Sequence, residues 1–439
     1  MILLAFLAIG LSGAGLVAAG LPRSAVNDRA LRVALSFSLG LGAWSAGYAV
    51  QWLAFGARGT AAKDGLLAVA GAGLLVLSRR GRLEAPNPPP PKAGQSSDAG
   101  TSVPRWLAWF FVVACISSAL FFVEHSLRFP DGGWDAWMTW NLRARFLVRA
   151  ADPRDAFSPQ MLFWAHQEYP WLVPGAVAQT FLLFGESYAA PAAVAFVFGA
   201  LTLALLVLSL SRLYGPRAGL LSGLALCGTP CFVTFAANQQ ADVPLALYFL
   251  AAAALLQLAR EPRTLALAGF AAGLCVWTKS EGAVYAACLA AGLLLKNRAA
   301  LRPFVLGTLP GFVLLAAFKL LAAPPSAFVA QGMLGRAFDP HRWLELLLLT
   351  LRRIFYFQSF ALWIVAWLAA VAIYRRKLFD EPLGLALLFA FAACGAIYLV
   401  QPYPLGWIFR TSADRLFIEL WPAAILLTLP ALRPATART

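Results

Sequence analysis

The sequence predicts an all-α, polytopic transmembrane fold of about 13 spans, and three observations carry that prediction. Of 439 residues, 61% are hydrophobic and only 13% are charged, about half the charged share of a soluble globular chain. Apolar stretches approaching the roughly 20 residues needed to cross a hydrocarbon layer recur from Ile2 to the last twenty positions. Between them, Lys and Arg gather in alternate loops, as cytoplasmic loops do. That bias accounts for the formal net charge of +15. Nucleic acid is therefore excluded as a partner, and membrane lipids take its place.

Residues 1–80 hold three expected spans, 2–21, 33–55 and 65–78. The first lacks a basic leading region and is followed by further spans, so it reads as a membrane helix and not as a cleaved signal. Residues 81–105 are rich in Pro, Gly and Ser without apolar periodicity, which predicts a flexible cytoplasmic linker. Residues 106–322 form the central membrane module, with expected spans at 106–124, 188–211, 218–236, 243–259, 264–278, 282–295 and 301–322. Residues 323–439 add spans at 354–374, 382–399 and 416–431. The six cysteines all fall in apolar stretches and imply neither a disulfide framework nor a zinc knuckle.

Arg79, Arg80 and Arg82, then Arg212, Arg217, Arg260, Arg263, Lys296, Arg298 and Arg375 to Lys377 mark the cytoplasmic side. The loops 125–187, 237–242, 279–281, 323–353 and 400–415 then open on the external face. Counting residues 171–184 as a span would invert every later helix. This 14-residue segment is expected to be re-entrant or surface-lying.

The external loops hold the chemistry. In DGGWDAW, Asp131 reads as a turn former, while Asp135 is a candidate reactive carboxylate or a helix N-cap. After it, Trp137, Trp140, Ala144 and Leu147 recur at helical steps, which predicts an interfacial amphipathic helix. Asp242, in NQQADVP, begins an apolar span on the same face. Thr278-Lys279-Ser280-Glu281 sits between two apolar helices, where charge is costly unless paired or facing a cavity. Arg410 and Arg415 break the positive-inside pattern, as do Arg336, Arg342, Arg352 and Arg353. A guanidinium fork suits phosphate, so they suggest an anionic lipid headgroup. His166 and Glu168 are the candidate ligands for a divalent metal ion; no other cofactor is called for.

Taken in order, Asp135, then Glu168-Tyr169-Pro170, then Phe184-Gly185, then Asp242 before Pro244 resemble the pattern of GT-C-type membrane glycosyltransferases over roughly residues 106–300. The aminoarabinose transferase of lipid A and the protein O-mannosyltransferases are the similar groups. The resemblance implies transfer of a sugar from a polyprenyl-phosphate donor to a glycan, lipid or protein acceptor. The reaction would take place on the external, periplasmic face of a bacterial inner membrane. Asp135 would be the general base, and Asp242 would orient the acceptor or tune that base. The family's Glu-Lys-Pro maps onto Glu168, but Tyr169 replaces the Lys.

Arg410, Arg415 and Lys279 are the expected phosphate clamp, because negative charge develops on the departing phosphate. Glu168, Tyr169, Trp134 and Glu281 are the expected contacts to acceptor or sugar, and Trp137 and Trp164 are further external aromatics. Direct displacement predicts inversion at the anomeric carbon. The rival readings are a polymerase or ligase of lipid-linked oligosaccharide, and a lipid or sugar flippase. Against the flippase, no internal repeat is evident and most acids lie at span ends.

Overall fold

The structure, a computed structural model, describes residues 1–56, 60–83, 103–150, 152–158, 165–325, 333–354 and 363–429. Most of the expected linker (84–102) and Trp164 lie outside the described residues. Those described are helical throughout, with no strand among them.

The N-terminal unit is α1 (Ile2–Gly20), α2 (Arg29–Phe55) and α3 (Thr60–Leu83). These helices approach at glycines: a Cβ on Gly40 would overlap the Ile9 carbonyl oxygen, and one on Gly71 would overlap the Leu11 carbonyl. Close approach of small residues is how helices gain packing where lipid offers no hydrophobic drive. Next come α4 (Arg105–Arg128), a π-helical turn (Ala136–Trp140), α5 (Asn141–Arg149), a 3-10 turn (Pro153–Phe157), α6 (Leu172–Phe184) and α7 (Ala189–Tyr214). Then follow α8 (Pro216–Cys227), α9 (Pro230–Ala237), α10 (Asp242–Leu258), α11 (Pro262–Thr278), α12 (Glu281–Lys296) and α13 (Arg298–Leu321). The C-terminal part is α14 (Met333–Ala337), α15 (Pro340–Ile354), α16 (Trp363–Phe379), α17 (Pro382–Val400) and α18 (Leu405–Thr428).

Among the described residues, seven helices, α1, α2, α3, α4, α7, α13 and α17, are each long and apolar enough to cross a membrane. Taken together, α8 and α9 are also long and apolar enough, as a broken span or a re-entrant pair, and meet at a 66° bend. Pro230 accounts for that bend, because it has no N–H to offer the preceding turn. Trp421 Nε1 of α18 braces it by donating to Thr229 Oγ1 at 3.0 Å. The other expected spans coincide with helices that are shorter or more polar. Among them, α10 is the most enclosed, buried continuously from Asp242 to Leu255. It packs on α7, α11 and α18.

The charge-based division of loops has a spatial counterpart. Arg212 donates to Ala25 O at 3.2 Å, Thr264 to Gly20 O at 2.9 Å, and Lys296 to Asp380 at 3.3 Å, gathering the basic loops at one end. Arg336 donates to Val400 O at 2.9 Å, Arg342 donates to Tyr398 O at 2.9 Å, and Arg353 pairs with Asp414, gathering the others at the opposite end.

Of the two expectations for 171–184, burial excludes the surface-lying one. In α6, residues Leu172 to Gln179 are buried against α2, α5, α7 and α11. The face expected to lie in the interface is instead largely buried, at Trp140, Ala144 and Leu147, whereas α15 has no buried residue and presents Trp343, Leu344, Leu347, Leu348 and Leu351 outward.

Candidate active site

Asp135 is placed by a turn that docks on the connection between α9 and α10. Gly132 has φ +78°, a conformation glycine adopts without strain. Gly133 N donates to Asn238 O at 2.9 Å. Asn141 Nδ2 donates to Gln239 Oε1 at 2.7 Å, and Gln239 Nε2 to Pro130 O at 3.2 Å. Asp131 takes the turn role expected of it: its carbonyl accepts from Asn141 at 3.2 Å and its carboxylate pairs with Arg145 at 3.3 Å.

Clasped in this way, the loop carries Asp135 to Arg415, with Oδ2 and Nη1 2.6 Å apart. Arg415 Nε lies 3.3 Å from each oxygen of Asp242. Lys279 Nζ approaches Asp242 at 2.9 Å, Glu419 at 2.6 Å and Glu281 at 3.4 Å. Tyr285 Oη donates to Glu419 Oε2 at 2.7 Å. Neither Asp135 nor Asp242 makes a side-chain cap; both carboxylates are spent on Arg415 and, for Asp242, Lys279. Lys279 closes the C-terminal end of α11 and Glu281 opens the N-terminal turn of α12, so each complements the dipole of its own helix.

A cavity of about 820 Å³ opens over this network, within the size range of small-molecule sites (roughly 300–1,000 Å³). Asp135, Lys279, Glu281 and Arg415 face it together with Trp134, Thr139, Trp140, His166, Tyr169 and Gln240 on one side, and Ile397, Tyr398, Tyr403, Trp407 and Ile408 on the other. Asp242 and Glu419 are wholly buried behind the two cations and do not line it. Four carboxyls therefore surround two cationic groups. Asp242 and Glu419, off the wall, hold the cations, and Lys279 and Arg415 themselves line it.

Not every expected site residue joins this set. Arg410 is exposed and is absent from the cavity wall, in contrast to Arg415. Glu168 is buried and also off the wall; His166 Nδ1 lies 3.4 Å from it, and Lys319 Nζ donates to its carbonyl at 2.5 Å. Burial raises the Glu168 carboxyl, but the His166 hydrogen bond and the nearby Arg143 outweigh it and leave it below the usual glutamate value. Arg143, enclosed among the carbonyls of Ala165, His166 and Tyr169, is brought down to about 10 by burial, with Glu168 opposing.

For the metal expectation at His166 and Glu168, no group of three or more His, Cys, Asp or Glu suited to a metal ion occurs among the described residues. The pair instead meets cations. Tyr169 does line the cavity, its ring stacked on His166 at 4.9 Å. Trp134 and Glu281 line it too. Glu419 and Tyr285 were not anticipated, since both lie inside apolar helices.

Neither curated proteins nor solved structures return a match to this chain. Residues 169–323 match the family model described as dolichyl-phosphate-mannose-protein mannosyltransferase. The matched stretch runs from Tyr169 through α13 and brings Lys279 and Glu281 to the cavity wall and Asp242 to the buried network behind them, while Asp135 and Arg415 come from either side of it. Joined to an all-helical fold with several membrane-capable helices, this match supports a GT-C-like membrane glycosyltransferase.

Proposed function

We propose that the protein transfers a single sugar from a polyprenyl-phosphate donor to an acceptor hydroxyl on the external face of the membrane, with Asp135 as general base. One observation carries this reading: Asp135 lines a large cavity and shares Arg415 with a buried Asp242–Lys279–Glu419 network. A polyprenyl phosphate is already a competent leaving group. The protein has only to position the anomeric carbon, take one proton and stabilise charge on the departing oxygen.

Arg415 joins Asp135 to the buried Asp242, and a donor phosphate entering the cavity would meet the same guanidinium. Asp135 then removes the acceptor proton. The acceptor oxygen attacks the anomeric carbon, the carbon–phosphate-oxygen bond breaks with its electron pair, and Arg415 and Lys279 face the developing charge. Asp242 supports this step as a positioning residue, fixing both cations from behind. Displacement from the face opposite the phosphate inverts the anomeric centre.

The deciding experiment uses proteoliposomes loaded with a defined polyprenyl-phosphate monosaccharide and a hydroxyl acceptor. Asp135→Asn is expected to lower kcat by about 100-fold or more, and the product anomer to be inverted. Carrier translocation without sugar transfer would make the protein a flippase, and a retained anomer would exclude direct displacement.

A further inference from the structure

The cavity wall carries polar atoms that the ion network leaves unused. Among the described residues, Thr139 Oγ1, Trp140 Nε1, Gln240 Oε1 and Glu281 Oε2 have no hydrogen-bond partner in the protein and line one side of the cavity, and Gln401 Oε1, likewise without one, lines the other. Thr139, Trp140 and Gln240 are only 2%, 1% and 8% exposed. Buried polar side chains are almost always partnered, and least dispensably so in a membrane protein, so a cluster of exceptions at one cavity marks a place where a ligand supplies the missing bonds.

The chemistry of the set identifies the ligand class. It mixes a pure donor (Trp140), acceptors (Gln240, Glu281) and a group that does both (Thr139). Phosphate oxygens would call for donors alone; sugar hydroxyls, which donate and accept together, match the mixture. Apolar surface for the C–H face of a ring is present beside them in Trp134 and Tyr169, which line the same side. The backbone there is also fixed under strain. His166 (φ +47°) and Gln239 (φ +58°) are the non-glycine residues with positive φ among those described, and they sit in or directly beside this wall. The opposite wall carries an apolar patch, Ile397, Trp407 and Ile408, beside the polar Gln401, Thr411 and Ser412.

We infer that Thr139, Trp140, Gln240 and Glu281 form a hydroxyl-reading subsite for the transferred sugar, leaving the apolar patch of Ile397, Trp407 and Ile408 to the isoprenoid end of the donor. This rests on the glycosyl-transfer reading and assigns the cavity a direction.

The test uses the full chain in proteoliposomes, short-chain isoprenyl phosphates of mannose, glucose, N-acetylglucosamine and arabinose, and single-deoxy analogues of whichever is turned over. Thr139→Val and Gln240→Leu are expected to raise KM about 5- to 10-fold with kcat within about 2-fold, the loss of one hydrogen bond. Each variant should also cease to distinguish the parent donor from one deoxy analogue that the wild type discriminates. Thr139→Ser should keep the wild-type KM, which separates a lost hydroxyl from a disturbed fold. Variants that discriminate every deoxy donor as the wild type does would overturn the subsite while transfer itself stands. A wild type that turns over none of the donors would remove the transfer reading and the subsite with it.

Discussion

Glu419 lies one helical turn beyond Arg415, and that spacing puts both on one face of α18, whereas Arg410 is about 140° away around the axis. The helical period alone would have separated the two arginines and recruited the glutamate. What concealed it was treating 400–415 as a loop when the helix begins at Leu405. Lys279 is then the residue on which the most charge depends. Lys279→Met leaves Asp242, Glu419 and Glu281 facing one another with Arg415 as the remaining cation, and is expected to destabilise the protein by about 3–5 kcal/mol. Thermal unfolding in detergent checks this. Glu419→Gln keeps acceptors and donors for Lys279 and Tyr285 and should cost distinctly less. Glu168 gives a pH prediction. Its folded value lies below the ordinary 4.5, so its contribution is complete above that value and is lost as the pH falls through the lower folded value. Between pH 6 and pH 3.5 the wild type should lose more thermal stability than Glu168→Gln; equal losses would show that the carboxylate contributes nothing.

Among the elements, α6 connects the reactive end to the N-terminal unit. Gln179 of α6 accepts from Lys63 of α3, which also pairs with Asp64 at 2.7 Å and lies 4.9 Å from the Trp44 ring centroid; Trp44 Nε1 donates to Asp64 at 2.9 Å. Lys63 and Asp64 are 7% and 3% exposed. Lys63→Ala strands Asp64 and should destabilise by about 3–5 kcal/mol, while Lys63→Met with Asp64→Leu, which removes both charges, should recover most of that loss. Melting of the single and double variants decides it; equal damage from both would mean that packing rather than charge dominates. The helices themselves were legible from apolar run length. The partners were not, because an all-round apolar helix such as α10 shows no preferred face. The α11–α13 crossing is an instance. It rests on Gly269, Gly273, Gly307 and Gly311, where a Cβ would overlap the other helix at three of the four and press on it at Gly273.

At the scale of the molecule, the sequence divided its loops into two sets by charge, and the structure gathers the two sets at opposite ends. Asp135, Lys279 and Arg415 meet because the loops that carry them share one end, although 280 positions separate the first from the last. Arg375, Arg376 and Lys377 lie at the end away from the cavity, and the positive-inside rule would put that end in the cytoplasm. Under the proposed function the chamber then opens on the external side, where a lipid-borne donor would already have crossed. In a cysteine-free background, Thr411→Cys, exposed on the cavity wall, should react with a membrane-impermeant maleimide added to intact cells, and Arg376→Cys should react only after permeabilisation. The opposite labelling pattern would place the chamber in the cytoplasm. Asp135 would then face soluble nucleotide sugars, and a polyprenyl-phosphate donor used after translocation would no longer fit the site.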